Sequence, residues 1–145
     1  MGEAQFRGLV HTTRNLDFFR SLTGAQVDRL FSHIQLYVFD KGETIFKKGD
    51  IPGAFYIIYG GRVRIFLGHR FWGLLKKMVH LKAGDMFGEM ALIENHPHTG
   101  TATAEGTTQL FVVLRDDFHS LLKGDPEFAD LMKFVVSRRK FETAH

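Results

Sequence analysis

The chain has 145 residues, 44% of them hydrophobic, and 19 basic against 16 acidic side chains leave a net charge of +3. This composition excludes a disordered chain, and so small a charge does not indicate nucleic-acid binding. The absence of cysteine excludes disulfides, zinc–thiolate sites and thiol catalysis. No apolar run approaches the roughly 18 residues of a membrane span, and no signal peptide is evident. We therefore expect a cytoplasmic protein whose residues 1–145 form one domain.

The first predicted element is a helix that begins after Thr23. Thr23 and Gln26 have the spacing of a capping box, in which both side chains satisfy free backbone N–H groups at a helix start. The apolar residues that follow recur at helical spacing and form one stripe: Val27, Leu30, Phe31 and Ile34. A further turn is predicted just before this helix, over residues 15–20.

The central part of the chain consists of short β-rich runs separated by glycine-containing turns. Such regular spacing is typical of a sandwich or roll. Strands are predicted over residues 36–39, 44–46, 55–58, 63–67, 74–81, 101–105 and 109–114.

Helices are predicted again towards the end of the chain. Residues 87–94 lack β-branched alternation and predict one helical turn between strands, and a second turn is expected over residues 116–122. Asp125 and Pro126 then have the pattern of an N-cap followed by a first-turn proline. The helix that they start is predicted to reach about Phe141. The predicted fold is therefore mainly β, a jelly-roll-like double-stranded β-roll with N-terminal helices and a C-terminal helix.

Two neighbouring segments carry the chemistry of a candidate ligand site. The first is Phe87-Gly88-Glu89-Met90-Ala91-Leu92 and the second is Pro97-His98-Thr99-Gly100-Thr101. A glycine allows backbone amides to approach a ligand, a glutamate accepts hydrogen bonds from hydroxyl groups, and a threonine hydroxyl donates to phosphate oxygens. This combination indicates a small phosphorylated ligand.

The run FGEMALIENHPHT resembles the phosphate-binding cassette of cyclic nucleotide-binding domains, whose usual form is FGE-L/M-AL followed by P-R-T/S/A-A. The run GETIFKKGDIPGAFYIIYGGRVRIF upstream and the run LFVVLRDDFHSLL downstream are similar to further family segments. The resemblance covers roughly residues 16–141 and implies the β-roll fold. It also implies that Gly88 and Glu89 contact a ribose, and that Thr99 and the Gly100 amide contact a cyclic phosphate.

The sequence departs from the family pattern at two positions. His98 stands where the family has the arginine that pairs with phosphate, and Gly100 replaces the usual alanine. A neutral imidazole binds a phosphate less strongly than a permanently charged guanidinium does, because it lacks the charge and the bidentate hydrogen bonds. Two readings of His98 remain open, a ligand contact and a solvent-exposed loop residue. A cation elsewhere, such as Lys82, Arg62 or Arg64, is a candidate replacement for the missing charge.

The resemblance implies a non-enzymatic sensor or regulatory module without catalytic residues, metal or cofactor. Its ligand would be cAMP or cGMP, bound weakly because of His98. The alternative is a ligand-independent protein-interaction domain with a degenerate site. The predicted ligand-binding residues are Phe87, Gly88, Glu89, Met90, Ala91, His98, Thr99 and Gly100.

The C-terminal helix offers a route to a partner. In the family a helix at this position moves over the ligand, and in the catabolite-activator type it forms the dimer seam. We expect a homodimer or a protein partner to use this helix if it does not pack on its own roll. No DNA-binding domain is expected after it, because the chain ends a few residues later.

A remote alternative is a metal-dependent cupin-like enzyme, because His96 and His98 have the spacing of a chelating pair on a β-roll. Glu89 could also have a structural role instead of binding a ligand, as a carboxylate that accepts hydrogen bonds from nearby backbone amides. Phe71 and Trp72 are predicted to lie at a mobile or partner-contacting hairpin tip, with buried packing as the alternative.

Overall fold

The computed structural model describes residues 3–13, 23–68 and 76–143. Two antiparallel sheets of four strands form the roll, with strand orders β1-β8-β3-β6 and β2-β7-β4-β5. The strands are β1 Gln35–Phe39, β2 Thr44–Phe46, β3 Ala54–Gly60, β4 Arg62–Gly68, β5 Lys76–Lys82, β6 Met86–Phe87, β7 Thr101–Ala104 and β8 Thr108–Leu114. The predicted β-roll is confirmed.

Five helices flank or interrupt the strands within the described ranges. They are α1 Glu3–Thr13, α2 Gly24–Phe31, α3 Glu89–Glu94, α4 Arg115–Gly124 and α5 Pro126–Thr143. The predicted capping box starts α2, since the Gln26 amide N–H donates to Thr23 Oγ1 and the Thr23 amide N–H donates to Gln26 Oε1. None of the helices in the described residues is long and apolar enough to cross a membrane.

Alternating residues of β3 and β8 divide the core into two layers. Phe55, Ile57 and Phe111 face the helices, where they pack with Phe118 of α4 and Phe128 of α5. The intervening residues of the same strands face the other sheet and form the interior of the roll. That second layer comprises Phe46, Ala54, Ile58, Val63, Phe87, Ala102, Leu110 and Val112.

The C-terminal helix α5 begins where the sequence predicts. Asp125 Oδ1 accepts a hydrogen bond from the Phe128 amide, and its Oδ2 accepts from Arg29 and Gln26 of α2. The amide of Phe128 and the side chain of Gln26 hold the pKa of Asp125 below its usual range. Phe128 and Met132 are buried in the core. The first half of α5 therefore covers this chain's own roll, and its role in a dimer stays a prediction.

Two features differ from the predicted elements. Helix α1 was not predicted, and β6 with α3 replaces the single helical turn predicted over residues 87–94. Gly88 separates β6 from α3, because its φ of 85° lies in the left-handed region and cannot continue a right-handed helix. The turn predicted over residues 15–20, the aromatic pair Phe71 and Trp72, and the start of the strand predicted over 74–81 lie outside the described residues.

Candidate functional site

A cavity of about 380 Å³ opens between the short helix α3 and the sheet that contains β4 and β5. Its size falls within the range of small-molecule pockets. The lining is mostly apolar and comprises Phe46, Ile65, Leu67, Val79, Leu81, Met86, Phe87, Gly88, Glu89, Met90, Ala91, Glu94, His96, His98, Thr99 and Gly100. All eight residues predicted from the sequence to bind ligand therefore line one cavity, although their contact with a ligand stays a prediction.

Gly88 turns the chain sharply from β6 into α3. Besides its positive φ, a Cβ at this position would lie 3.3 Å from the Tyr56 ring and 3.5 Å from the Ala54 carbonyl oxygen. Glu89 follows as the first residue of α3 and is only 4% exposed, although it lines the cavity. The backbone at Gly88 therefore holds a largely desolvated carboxylate at the cavity wall, where hydroxyl groups of a ligand are suitable donors.

His98 is buried, with 5% of its surface exposed, so the prediction of a solvent-exposed loop histidine is wrong. Its ring stacks on Phe46 with a centroid separation of 3.6 Å and an interplanar angle of 7°. Its backbone N–H donates to the Asp50 carbonyl oxygen, and its own carbonyl oxygen accepts from the Gly49 N–H. These bonds fix the loop that carries His98 against the β2–β3 turn.

The surroundings of His98 favour the neutral imidazole. Burial lowers the pKa of His98 below the usual histidine value, and the charge of His96 acts in the same direction while Asp50 partly opposes it. Without a ligand, the ring is therefore an uncharged donor or acceptor on the cavity wall at neutral pH. An arginine at this position would instead carry a positive charge at every physiological pH.

An aromatic cluster surrounds His98. Phe46 contacts Tyr56 and Phe87 at centroid separations of 5.9 Å, and Tyr56 stacks on Phe87 at 5.1 Å. Burial raises the pKa of the Tyr56 hydroxyl, so this residue adds no negative charge near neutral pH. The cluster makes this end of the cavity apolar, apart from the imidazole itself.

The three cations proposed as substitutes for the missing arginine lie on the wrong face of their sheet. Ile65 and Leu67 of β4 and Leu81 of β5 line the cavity. Because successive side chains of a strand point to opposite faces, Arg62 and Arg64 of β4 and Lys82 of β5 point away from it. That substitution hypothesis is therefore wrong for all three. Among the described residues, no lysine or arginine lines the cavity.

The surroundings of Gly100 explain why a glycine stands where the family pattern has an alanine. A Cβ there would lie 2.6 Å from Leu67 Cδ2, 2.8 Å from Ile65 Cγ2 and 3.0 Å from the Phe66 carbonyl oxygen. The branched side chains of Ile65 and Leu67 thus occupy the space that an alanine methyl group would need.

We expect the substitution Gly100→Ala to destabilise the fold by about 1–3 kcal/mol, because it overpacks a buried contact between β4 and the loop. Gly106→Ala is the matched control, because a Cβ at Gly106 would meet no atom within 4 Å. Urea unfolding of both variants measures the difference. Equal midpoints for the two variants would show that Leu67 and Ile65 relax without cost.

The metal-site alternative finds no support in the described residues. Although His96 and His98 both line the cavity, the ring of His98 lies against Phe46, and His96 Nδ1 lies 2.8 Å from the Pro97 carbonyl oxygen. No group of three or more histidine, aspartate or glutamate side chains within the described ranges is arranged to hold a metal ion.

Sequence reasoning did not identify the other wall of the cavity. Phe46 and the residues contributed by β4 and β5, namely Ile65, Leu67, Val79 and Leu81, were predicted only as strand residues. A partial alternation was the available signal: Arg64 and His80 alternate with these residues and indicate one buried face, but Phe66 and Met78 interrupt the pattern. It could not show that this face borders a cavity.

Comparison with known proteins connects this geometry to a family. The sequence profile described as "Cyclic nucleotide-binding domain" matches residues 37–125. A cyclic AMP receptor protein of Thermus thermophilus is 31% identical over 121 residues, which cover 83% of this chain and 56% of the relative. A cGMP-dependent protein kinase of Toxoplasma gondii is 34% identical over 125 residues, covering 84% of this chain and 12% of the kinase.

A solved structure agrees with the sequence matches. The crystal structure of the Thermus thermophilus catabolite activator protein superposes with a TM-score of 0.74 at 30% identity, covering 88% of this chain and 59% of that one. The chain thus spans little more than half the length of this relative. The family profile match over residues 37–125 includes every residue that lines the cavity.

Proposed function

Because this chain belongs to the cyclic nucleotide-binding domain family, we propose that it is a non-enzymatic sensor module that binds cAMP or cGMP weakly. The observation that carries the proposal is the cavity in which Gly88, Glu89, Thr99 and Gly100 meet. In this arrangement, Glu89 accepts from the ribose hydroxyl, while the Thr99 hydroxyl and the Gly100 amide donate to the cyclic phosphate.

The weakness of binding follows from the charges of the lining. Glu89 and Glu94 contribute carboxylates, and His98 is mainly neutral near pH 7 because its pKa is lowered. An anionic phosphate therefore lacks a permanent counter-charge among the described lining residues. Loss of one charge-assisted hydrogen bond costs about 1.5–3 kcal/mol, which corresponds to about tenfold to over a hundredfold in affinity.

Helix α5 is the element through which binding would reach a partner. It contacts α3, the helix that begins with Glu89 at the cavity wall. A ligand that draws Glu89 towards its ribose also moves α3, and α5 must adjust because the two helices are packed together. A homodimer partner or another protein that contacts α5 would detect this movement.

Isothermal titration calorimetry with cAMP and with cGMP tests the proposal. We expect saturable binding of at least one nucleotide, and a loss of binding in Glu89→Gln with the fold retained by circular dichroism. The unphosphorylated nucleosides serve as controls, since they should bind more weakly than the cyclic nucleotides if the phosphate contributes to binding. If neither nucleotide binds at millimolar concentration, the ligand-independent interaction domain is the better description.

A further inference from the structure

The outer face of β4 and β5 carries the basic residues that the cavity does not use. Arg62, Arg64 and Lys82 are all exposed on this face. Within the described residues, none of their side chains has a carboxylate within ion-pair distance. Two acidic side chains lie close to them: Glu105 is paired with His80, and Asp85 accepts a hydrogen bond from the Lys82 backbone N–H. This face, defined here as the basic face, therefore carries a net positive charge.

The pairing of β4 with β5 places these positive charges opposite each other, which lowers the stability of the isolated domain. Arg62 lies directly opposite Lys82 in the antiparallel register, and Arg64 lies opposite His80. Like charges directly opposite each other on adjacent strands are destabilising. A partner that supplies negative charge to this face would remove the repulsion.

The same face ends in an apolar pair. Phe66 lies opposite Met78 in the register, and these side chains are 37% and 44% exposed. An apolar contact next to several cations is a common composition of protein-binding surfaces, whose apolar centre excludes water while the charges orient the partner.

Strand β5 is the last strand of its sheet among the described residues, so half of its backbone N–H and C=O groups have no neighbouring strand there. Such an edge can accept another strand. Positive charges along the edge attract acidic strands and repel basic ones, so the charge selects the partner. Alternate residues of an extended chain are about 6.6 Å apart, which matches the spacing of Arg62 and Arg64 along β4.

From these observations, the geometry points to the basic face as a docking surface for an acidic, extended protein segment that adds to the edge of β5. The segment lies beside β5, so its acidic side chains pair with Lys82 and reach Arg62 and Arg64 across β5 through the long arginine side chains, while an apolar residue contacts Met78. A polypeptide is favoured over a nucleic acid because the open edge of β5 offers peptide-type hydrogen bonds, which a nucleic-acid backbone cannot make.

A labelled peptide of about ten residues with alternating glutamate and threonine, in which one terminal glutamate is replaced by leucine to supply the apolar contact, is a suitable probe. The test compares the double variant Arg64→Glu/Lys82→Glu with the control Lys41→Glu/Lys133→Glu, which makes the same charge change at exposed positions elsewhere. By fluorescence anisotropy at low salt, we expect the first variant to weaken binding at least about tenfold and the control less than about twofold. Binding should also weaken with added salt.

Hydrogen exchange gives a second readout, because strand addition should protect backbone amides of β5 when the peptide binds. Equal loss of binding in both double variants, unprotected β5 amides, or no binding at millimolar peptide would overturn the proposal. Tighter binding of an oligothymidylate of equal charge, with the same sensitivity to Arg64→Glu/Lys82→Glu, would instead identify a nucleic-acid surface. Nucleotide titrations of the same variants should be unchanged, since these residues face away from the cavity.

Discussion

The substitution His98→Arg is expected to strengthen cyclic nucleotide binding about tenfold to a hundredfold, because it supplies a permanent, bidentate partner for the phosphate. Stacking on Phe46 provides a way to hold the arginine. The imidazole already stacks flat on Phe46, and a guanidinium plane stacks on an aromatic face in a similar way. Phe46 can therefore support a guanidinium plane as it supports the imidazole.

Two further variants separate charge from shape. His98→Lys adds a charge without a planar, bidentate group, so we expect a smaller gain in affinity than for arginine. His98→Gln keeps a hydrogen-bond donor without charge, and its affinity should stay near or below that of the wild type at neutral pH. Calorimetry with the better nucleotide measures all four proteins. If the wild type binds tightly and His98→Arg does not change the affinity, another group neutralises the phosphate and the proposed weakness is wrong.

The arginine variant should also be less stable without ligand, since a permanent charge then occupies a position that is 5% exposed in the wild type. Thermal unfolding with and without nucleotide distinguishes this cost from the gain in binding. A variant that loses stability alone but regains it with ligand supports a phosphate contact at position 98. One that loses stability equally in both states would point to a purely structural residue.

The sequence predicted those parts of the fold that depend on interactions between residues close together in the chain. Thr23 and Gln26 form the expected capping box, and Asp125 caps α5 as its sequence pattern indicated. The central strands were found within a few residues because their turns are marked by glycine and their side chains alternate. These features depend on neighbours within a few positions in the chain.

The missed features depend on contacts between distant segments. Helix α1 lacks a strong apolar repeat, yet Leu9 is completely buried and Gly8 lies so close to Tyr59 that a Cβ would be 2.7 Å from its hydroxyl oxygen. The two-residue strand β6 exists because Phe87 pairs with Tyr56 of β3. Neither contact has a local sequence signature, since each is decided by tertiary packing.

The same distinction applies to the candidate site. The glycines, the acid and the hydroxyl were predicted because the motif keeps them in two short runs, and the structure brings them to one cavity. Burial of His98 could not be predicted, because it depends on Phe46 from β2 and on the backbone of the β2–β3 turn. The faces of Arg62 and Lys82 could have been predicted from alternation, once the cavity side of β4 and β5 was known.

Cyclic nucleotide affinity is expected to fall as pH rises if His98 contacts the phosphate. In the free protein, burial keeps the pKa of His98 below the usual value of about 6.5. A bound phosphate anion favours the imidazolium form, so the pKa in the complex is higher than in the free protein. Binding then takes up a proton, and the added affinity is complete below the free-state pKa and is lost as pH rises through the bound-state pKa.

The stability of the unliganded protein should depend on pH in the opposite direction. A histidine whose pKa is lowered by folding binds its proton more readily when the chain is unfolded. The contribution of neutral His98 to stability is therefore complete above the unfolded-state pKa of about 6.5 and is lost as pH falls towards the lower folded-state pKa. Acid thus destabilises the free domain while it strengthens ligand binding, and this opposition is specific to a buried histidine that becomes charged on binding.

Titrations of the wild type, His98→Gln and His96→Gln between about pH 5 and 8 test this linkage, because the range brackets the histidine pKa. The wild-type affinity should change by at most about tenfold per pH unit, the limit for one proton. The slope should vanish in His98→Gln. It should persist in His96→Gln at slightly higher pH, because the charge of His96 lowers the pKa of His98. A wild-type affinity independent of pH, or a slope that survives in His98→Gln and disappears in His96→Gln, would exclude His98 as the phosphate contact.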